Sequence, residues 1–147
     1  MNKKKEEYYL AHPFDSRKQI RDWELGFEKR TGISLLNPFY DDSRRTDVEK
    51  IDAGRNERYE KLDEKELVER DIGHIKQKSV KGIIAFVNGD LSYGTIQEMV
   101  YAKSYNKLVY SVISNGHENH PWLKYHSTKI FKSKDELETF LTSARKD

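Results

Sequence analysis

Short apolar runs alternate with amphipathic stretches along most of the chain. Five of the runs are typical of β-strands, because they are rich in β-branched and aromatic residues and most of them end near Gly, Pro or Asn. They occupy residues 8–11, 33–36, 82–87, 108–113 and 129–131. The run at 82–87 is continuously apolar, which is typical of a central strand buried on both faces.

Four helices are predicted between and after these runs, from apolar residues spaced three or four apart. Their inward-facing residues are Ile20, Trp23 and Phe27; then Val68, Ile72 and Ile75; then Ile96, Met99, Val100 and Ala102; and finally Leu137, Phe140 and Leu141. Gly32 is a C-terminal stop for the first helix. Asp63 with Glu66, and Ser133 with Glu136, are typical capping pairs at helix starts.

This alternation predicts a single α/β domain over residues 1–147 with a mostly parallel sheet. We expect a doubly wound, flavodoxin-like sheet of five strands in the order 2-1-3-4-5, with helices on both faces. In such sheets ligands bind beyond the carboxyl ends of the strands, where the strand order reverses. For this order the binding point lies between strands one and three.

Two loops are expected to meet at that point, and they contain most of the candidate ligand-binding residues. The first spans residues 11–15, and the second spans residues 88–95 and enters a helix whose early turns contain Glu98. The backbone N–H groups at the start of this helix favour an anion, either Glu98 itself or a ligand phosphate. Spacing alone favours a simpler interpretation, in which Gly94 and its neighbours are ordinary turn residues and Glu98 is an ordinary first-turn acid.

The charge distribution narrows the possible partners. The chain has 27 Lys and Arg against 25 Asp and Glu, so a nucleic-acid partner is not expected. Residues 41–81 alone carry 12 acids and 11 bases, and we predict that residues 41–66 cover the cleft. No apolar run approaches the length of a membrane span, and the N-terminus lacks the apolar segment of a secretory signal, so we expect no membrane partner and a cytoplasmic location.

The absence of cysteine excludes disulfides, a thiolate nucleophile and Cys-based metal sites. His117, His120 and His126 invite a zinc interpretation, but their spacing matches no known ligand pattern. We therefore predict no metal and no cofactor.

Two motifs resemble the nucleoside 2-deoxyribosyltransferase family. They are Tyr-Leu-Ala-His-Pro-Phe at 9–14 and Ser-Tyr-Gly-Thr-Ile-Gln-Glu-Met-Val-Tyr-Ala at 92–102. Members of the family typically read Tyr-Leu-Ala-Gly-Pro-Phe and Gly-Thr-x-x-Glu-x-Gly-x-Ala there. The segment Glu69-Arg70-Asp71 resembles the family's helix that enters the third strand, and the three motifs occur in the family's order.

The resemblance implies an enzyme that cleaves the N-glycosidic bond of a nucleoside or nucleotide and passes the sugar to another base or to water. Glu98 matches the nucleophile that forms a covalent glycosyl intermediate, and Asp71 matches a second acid that handles the base proton or a sugar hydroxyl. Tyr9 matches the tyrosine that orients the nucleophile, although Tyr8 is only one position away and stays an alternative.

The resemblance also bears on the substrate. Members that transfer sugars between free bases usually carry Asp six residues before the nucleophile, whereas members that hydrolyse nucleoside monophosphates carry Ser. This chain has Ser92 there, which favours a phosphate, with Arg17 as a second contact. The other predicted substrate-binding residues are His12, Phe14, Asp90, Gly94 and Thr95. Asp90 lies two residues before Ser92 and could return a carboxylate to the 5′ end.

The sequence departs from the family's motifs at two positions, and the resemblance also implies an oligomeric state. His12 replaces the family's glycine, which narrows the pocket or adds a phosphate contact, and Val100 replaces the glycine after the nucleophile. In this family a neighbouring subunit often completes the active site. The resemblance therefore implies a homo-oligomer, and Asn119 is the candidate residue that one subunit contributes to the other. The alternatives are a non-catalytic nucleotide-binding or sensing module, and a glycohydrolase of NAD-like nucleotides.

Overall fold

The computed structural model describes residues 6–40, 63–88, 92–114 and 116–146, and these ranges form one sheet with helices on both faces. The strands are β1 (Glu7–Ala11), β2 (Ser34–Leu36), β3 (Val80–Val87), β4 (Leu108–Ile113) and β5 (Lys129–Phe131). The helices are α1 (Arg17–Thr31), α2 (Glu64–Lys76), α3 (Tyr93–Ser104), α4 (Pro121–His126) and α5 (Lys134–Lys146). The five strands lie in the predicted order β2-β1-β3-β4-β5, and all of them are parallel.

Each strand sends alternate side chains into two apolar layers, since successive residues of a strand point to opposite faces. Tyr8 and Leu10 enter the layer formed with Ile20 and Phe27 of α1 and with α5. Tyr9 and Ala11 enter the other layer, formed with α2, α3 and α4. β1 and β3 are therefore covered on both sides, as their apolar sequences predict.

Gly82 lets β3 approach β4 closely. A Cβ atom at this position would lie 2.7 Å from Leu108 Cβ and against the Leu108 backbone, closer than real Cβ contacts allow. The glycine that opens the strongest apolar run thus sets the spacing of the two central strands at that point.

Several local predictions are confirmed. Gly32 ends α1 with a φ of 75°, the left-handed conformation that glycine adopts most readily. Asp63 caps α2 by accepting a hydrogen bond from the Glu66 N–H at 3.0 Å. Ser133 accepts from the Glu136 N–H at 3.1 Å at the start of α5.

Two predictions are wrong. Val68 was expected to face inward, yet it is 47% exposed. Most of the first two turns of α2 are exposed, and the buried residues of this helix are Asp71 and Ile75, so only its second half packs against the protein.

The other error concerns the connection between β4 and β5. The predicted elements include no helix there, but α4 begins at Pro121. Proline is well suited to the first helical position, where its missing N–H costs nothing. His120 caps the same helix by accepting from the Trp122 N–H at 3.3 Å.

Most of the predicted cleft-covering segment, residues 41–62, lies outside the described ranges. Asp63 to Glu66, its last residues, form the cap and first turn of α2. Among the helices of the described residues, none has the length and apolar character needed to cross a membrane.

Candidate active site

The candidate site lies at the carboxyl edge of the sheet, where β1 and β3 are neighbours. Ala11, the last residue of β1, pairs with Ala85, two residues before the end of β3. The loop after β1 leads into α1, and the segment after β3 leads into α3. The strand order β2-β1-β3 makes this the point at which the connections diverge to opposite sides, which is where ligands bind in open parallel sheets.

Tyr9 lies in the same layer as α3. Its side chain is completely buried and belongs to the cluster that contains Met99 and Ala102, which follow Glu98 on α3. Tyr8 points to the opposite layer, where its ring lies 5.9 Å from that of Tyr110. The strand alternation therefore gives Tyr9, not Tyr8, the face that α3 covers.

The first turn of α3 carries three of the predicted site residues. Ser92 is the N-cap, and its hydroxyl oxygen accepts a long hydrogen bond of 3.4 Å from the Thr95 N–H. A serine hydroxyl that accepts at a cap still has its own proton to donate. Thr95 is 2% exposed, and its hydroxyl has no hydrogen-bond partner among the described residues.

Glu98 reaches back toward this first turn. Its Oε1 lies 3.8 Å from the position that a Cβ on Gly94 would occupy, and its Oε2 is a buried atom. Gly94 therefore leaves one side of the carboxylate uncovered by a side chain. The positive end of the helix dipole favours the ionised form of a carboxylate held so close to it.

Asp71 lies on α2, which packs against α3 and β3. It is 8% exposed, four residues before Ile75 on the inward face of the helix. A buried carboxylate needs hydrogen-bond or charged partners, since burial penalises its charge. The neighbouring Arg70 buries its Nε atom in the same region of the helix.

A buried polar cluster next to the site was not predicted from sequence. It consists of His12 (3% exposed), Glu24 (1%) and Asn37 (0%), which come from the end of β1, from α1 and from the residue after β2. His12 Nε2 lies 3.2 Å from Asn37 Oδ1, and Asn37 Nδ2 donates to Glu24 Oε2 at 2.8 Å. Of its three members only His12 was singled out from the sequence, as a departure from the family motif.

Aromatic residues surround this cluster. Phe39 lies 5.0 Å from the His12 ring, measured between ring centroids, and the Arg21 guanidinium lies 4.8 Å from the centre of the Tyr40 ring. Tyr93, the first residue of α3, is 93% exposed and was not among the predicted site residues. It is the most accessible aromatic surface beside the α3 N-terminus.

The remaining predicted residues lie at helix starts and turns, or outside the described ranges. Arg17 is the first residue of α1 and is half-buried. Phe14 begins the short 3-10 turn that precedes α1. Asn119 is exposed in the 3-10 turn before α4, and its contribution to a neighbouring subunit stays a prediction. Asp90 lies outside the described residues. In the ranges that the structure describes, no cluster of three or more His, Cys, Asp or Glu residues could hold a metal ion.

The fold is shared with solved structures of two nucleoside- or nucleotide-processing enzymes. A 2-deoxyribosyltransferase from the psychrotolerant bacterium Bacillus psychrosaccharolyticus superposes with a TM-score of 0.65, at 18% identity over 90% of each chain. A CMP N-glycosidase from Clostridium botulinum superposes with a TM-score of 0.53, at 20% identity over 92% of this chain and 96% of the other. No protein-family model and no curated protein matched the sequence. The fold implied by the sequence motifs is thus confirmed.

Proposed function

We propose that this protein is an enzyme that cleaves the N-glycosidic bond of a nucleoside or its 5′-monophosphate through a covalent glycosyl–Glu98 intermediate. The observation that carries the proposal is the placement of Glu98, whose carboxylate lies against Gly94 on the first turn of α3. Its helix starts at the switch point of the sheet, in a fold shared with a deoxyribosyltransferase and a nucleotide N-glycosidase.

In the first step a Glu98 oxygen attacks C1′ of the sugar. The bond from C1′ to the base nitrogen breaks, and the base leaves with its electron pair and takes up a proton. In the second step water or another base attacks C1′ from the side opposite Glu98 and loses a proton. The bond from C1′ to the Glu98 oxygen breaks, and Glu98 is released as a carboxylate. Each displacement inverts C1′, so the overall reaction retains its configuration.

Asp71 and Tyr9 are the supporting groups in this scheme. Asp71 exchanges a proton with the base or holds a sugar hydroxyl, which suits a buried acid on a helix packed against α3. The buried Tyr9 hydroxyl belongs to the layer beneath α3, and we assign it the orientation of the Glu98 carboxylate.

Ser92 favours the 5′-monophosphate over the free nucleoside. Its hydroxyl accepts from the Thr95 N–H and so keeps its proton for a phosphate oxygen, while the first turn of α3 supplies backbone N–H groups. A carboxylate at this position would repel a phosphate, whereas a hydroxyl donates to it.

A panel of nucleosides and their 5′-monophosphates, with base release detected by mass spectrometry, tests the proposal. We expect release from the wild-type protein and none above background from Glu98→Ala, with Glu64→Ala, an exposed acid on α2, as the matched control. Ligand-induced thermal stabilisation without any release would favour a binding or sensing protein instead.

A further inference from the structure

The Thr95 hydroxyl is a buried polar group that the proposed reaction does not use. Thr95 is 2% exposed, and its hydroxyl oxygen has no hydrogen-bond partner among the described residues. A buried hydroxyl without a partner lowers the stability of a protein, because it has given up its hydrogen bonds to water. Most buried polar groups in native proteins are paired, so an exception at a candidate active site indicates a functional constraint.

The Thr95 side chain lies at the end of α3 that borders the cleft. The buried residues of α3 are Thr95, Met99 and Ala102. The last two pack in the layer that contains Ala11 and Ala85, from the carboxyl halves of β1 and β3. Thr95 lies one turn nearer the helix start, and helical side chains tilt toward the N-terminus. The hydroxyl is therefore placed where the buried face of α3 meets the candidate site.

Glu98 lies between Gly94 and Thr95 around the helix. At 3.6 residues per turn each residue advances about 100°, which places Glu98 about 40° from Gly94 and about 60° from Thr95. The carboxylate is turned toward the first turn, since Oε1 lies 3.8 Å from the position of a Cβ on Gly94, and Oε2 is a buried atom. Residues three apart on a helix are neighbours, so a rotation of the Glu98 side chain brings an oxygen to the Thr95 hydroxyl.

The burial of the Thr95 oxygen favours Glu98 over the substrate as its acceptor. A substrate atom reaches a buried oxygen only if the groups that cover it move aside. Glu98 belongs to the same helix and places its Oε2 in buried surroundings as well. A threonine hydroxyl has one proton to donate, and a carboxylate oxygen accepts.

We propose that Thr95 is a positioning residue, whose hydroxyl donates to the Glu98 carboxylate when that carboxylate is turned toward C1′. One Glu98 oxygen forms the bond to C1′ as the bond from C1′ to the base nitrogen breaks. The Thr95 hydroxyl holds the other oxygen and keeps its own proton. A hydrogen bond made only in the reacting geometry stabilises the transition state and not the free protein. This role rests on the proposed function, whereas the absence of a partner in the free protein does not.

Thermal unfolding of the free protein tests the first part of the inference. Thr95→Val keeps the shape of the side chain and removes only the hydroxyl, so its Tm should be no lower than that of the wild type. Ser111 is the matched control, since it is 0% exposed and its hydroxyl lies 2.8 Å from that of Ser127. Ser111→Ala should lower the Tm by about 3 °C. An equal fall for Thr95→Val would show that its hydroxyl is already paired and would overturn the proposal.

Steady-state kinetics of base release test the second part. We expect kcat to fall about tenfold in Thr95→Val, the effect of losing one hydrogen bond to a charged group in the transition state, with KM changed less than about twofold. Thr95→Ser keeps the hydroxyl and should hold kcat within about threefold of the wild type. Thr139→Val, at an exposed threonine of α5, is the control and should not alter kcat. An unchanged kcat in Thr95→Val, or an equal loss in Thr95→Ser, would overturn the proposal.

The Glu98→Ala variant separates this inference from the proposed function. If Glu98→Ala is inactive while Thr95→Val is as active as the wild type, the proposed reaction stands and only the role of Thr95 fails. If Glu98→Ala releases base at the wild-type rate, the proposed function fails, and the role of Thr95 fails with it.

Discussion

Asn37 is the residue on which the buried cluster depends, and its truncation is the most informative stability experiment. The Asn37→Ala variant loses the 2.8 Å bond to Glu24, the 3.0 Å bond from the Phe39 N–H and the 3.2 Å bond from His12. Asn37 itself is 0% exposed, so water does not simply take its place.

The cost follows from what is left behind. Losing a hydrogen bond to a charged group costs about 1.5–3 kcal/mol, and losing a neutral one costs about 1 kcal/mol. One of the three bonds is donated to a carboxylate, that of Glu24. Because Glu24 keeps its bond from Arg21, we take the lower end of these values and expect a loss of about 3.5 kcal/mol in the free energy of unfolding.

Urea denaturation followed by circular dichroism measures this loss, and thermal unfolding gives a second reading of about 10 °C in Tm. Gln97→Ala removes an exposed amide from α3 and is the control, with an expected change within about 0.5 kcal/mol. A loss below about 1 kcal/mol for Asn37→Ala would refute the reasoning, because the cluster would then not be held by this amide.

Three further predictions concern the sheet, the phosphate end of the site and a buried tyrosine. Gly82→Ala should destabilise the protein by about 3 kcal/mol because the new Cβ meets the Leu108 backbone, whereas Gly73→Ala, with open space around it on α2, should stabilise by about 0.5–1 kcal/mol; equal urea midpoints would contradict this. Ser92→Asp should raise the KM for a 5′-monophosphate at least tenfold and spare the nucleoside in steady-state kinetics, and an unchanged ratio would remove Ser92 from the phosphate site. Burial raises the pKa of Tyr110, so its stabilising contribution is complete below the unfolded value of about 10 and is lost as the pH rises through the folded value. In the Tyr110→Phe variant the urea midpoint should fall less steeply at alkaline pH than in the wild type. An identical pH dependence of the midpoint in the two proteins would contradict this prediction.

Strand positions could be predicted well because they depend on local composition. The apolar runs at 108–113 and 129–131 coincide with β4 and β5 in the structure, and the capping serine and aspartate lie at the helix starts where the spacing predicts them. These features need only neighbours within one turn or one strand. The parallel order follows from the alternation of the elements and the rule that crossovers carry helices.

The failures arise where an outcome depends on tertiary contacts. Val68 lies at helical spacing with Ile75, but the first turns of α2 extend beyond the surface that buries the second half. Pro121 looks like an interruption until the chain after β4 is seen to need a crossover helix, which proline can begin.

The candidate site shows the same division. The helix start that carries Ser92, Gly94 and Glu98 could be predicted from the motif, because that signal is local. The cluster around His12 could not, since its members are 25 and 13 residues apart along the chain and neither Glu24 nor Asn37 belongs to a motif. Only the fold brings the end of β1, the middle of α1 and the end of β2 together.

The central claim, that Glu98 attacks the sugar, is tested most directly by rescuing Glu98→Ala with azide on the best substrate of the nucleotide panel. Removing the carboxylate leaves room for a small anion on the face of the sugar that Glu98 would have attacked. We predict negligible base release without azide and restored release with it, giving a glycosyl azide whose configuration at C1′ is inverted relative to the substrate. Undiminished base release by Glu98→Ala in the absence of azide would contradict the account.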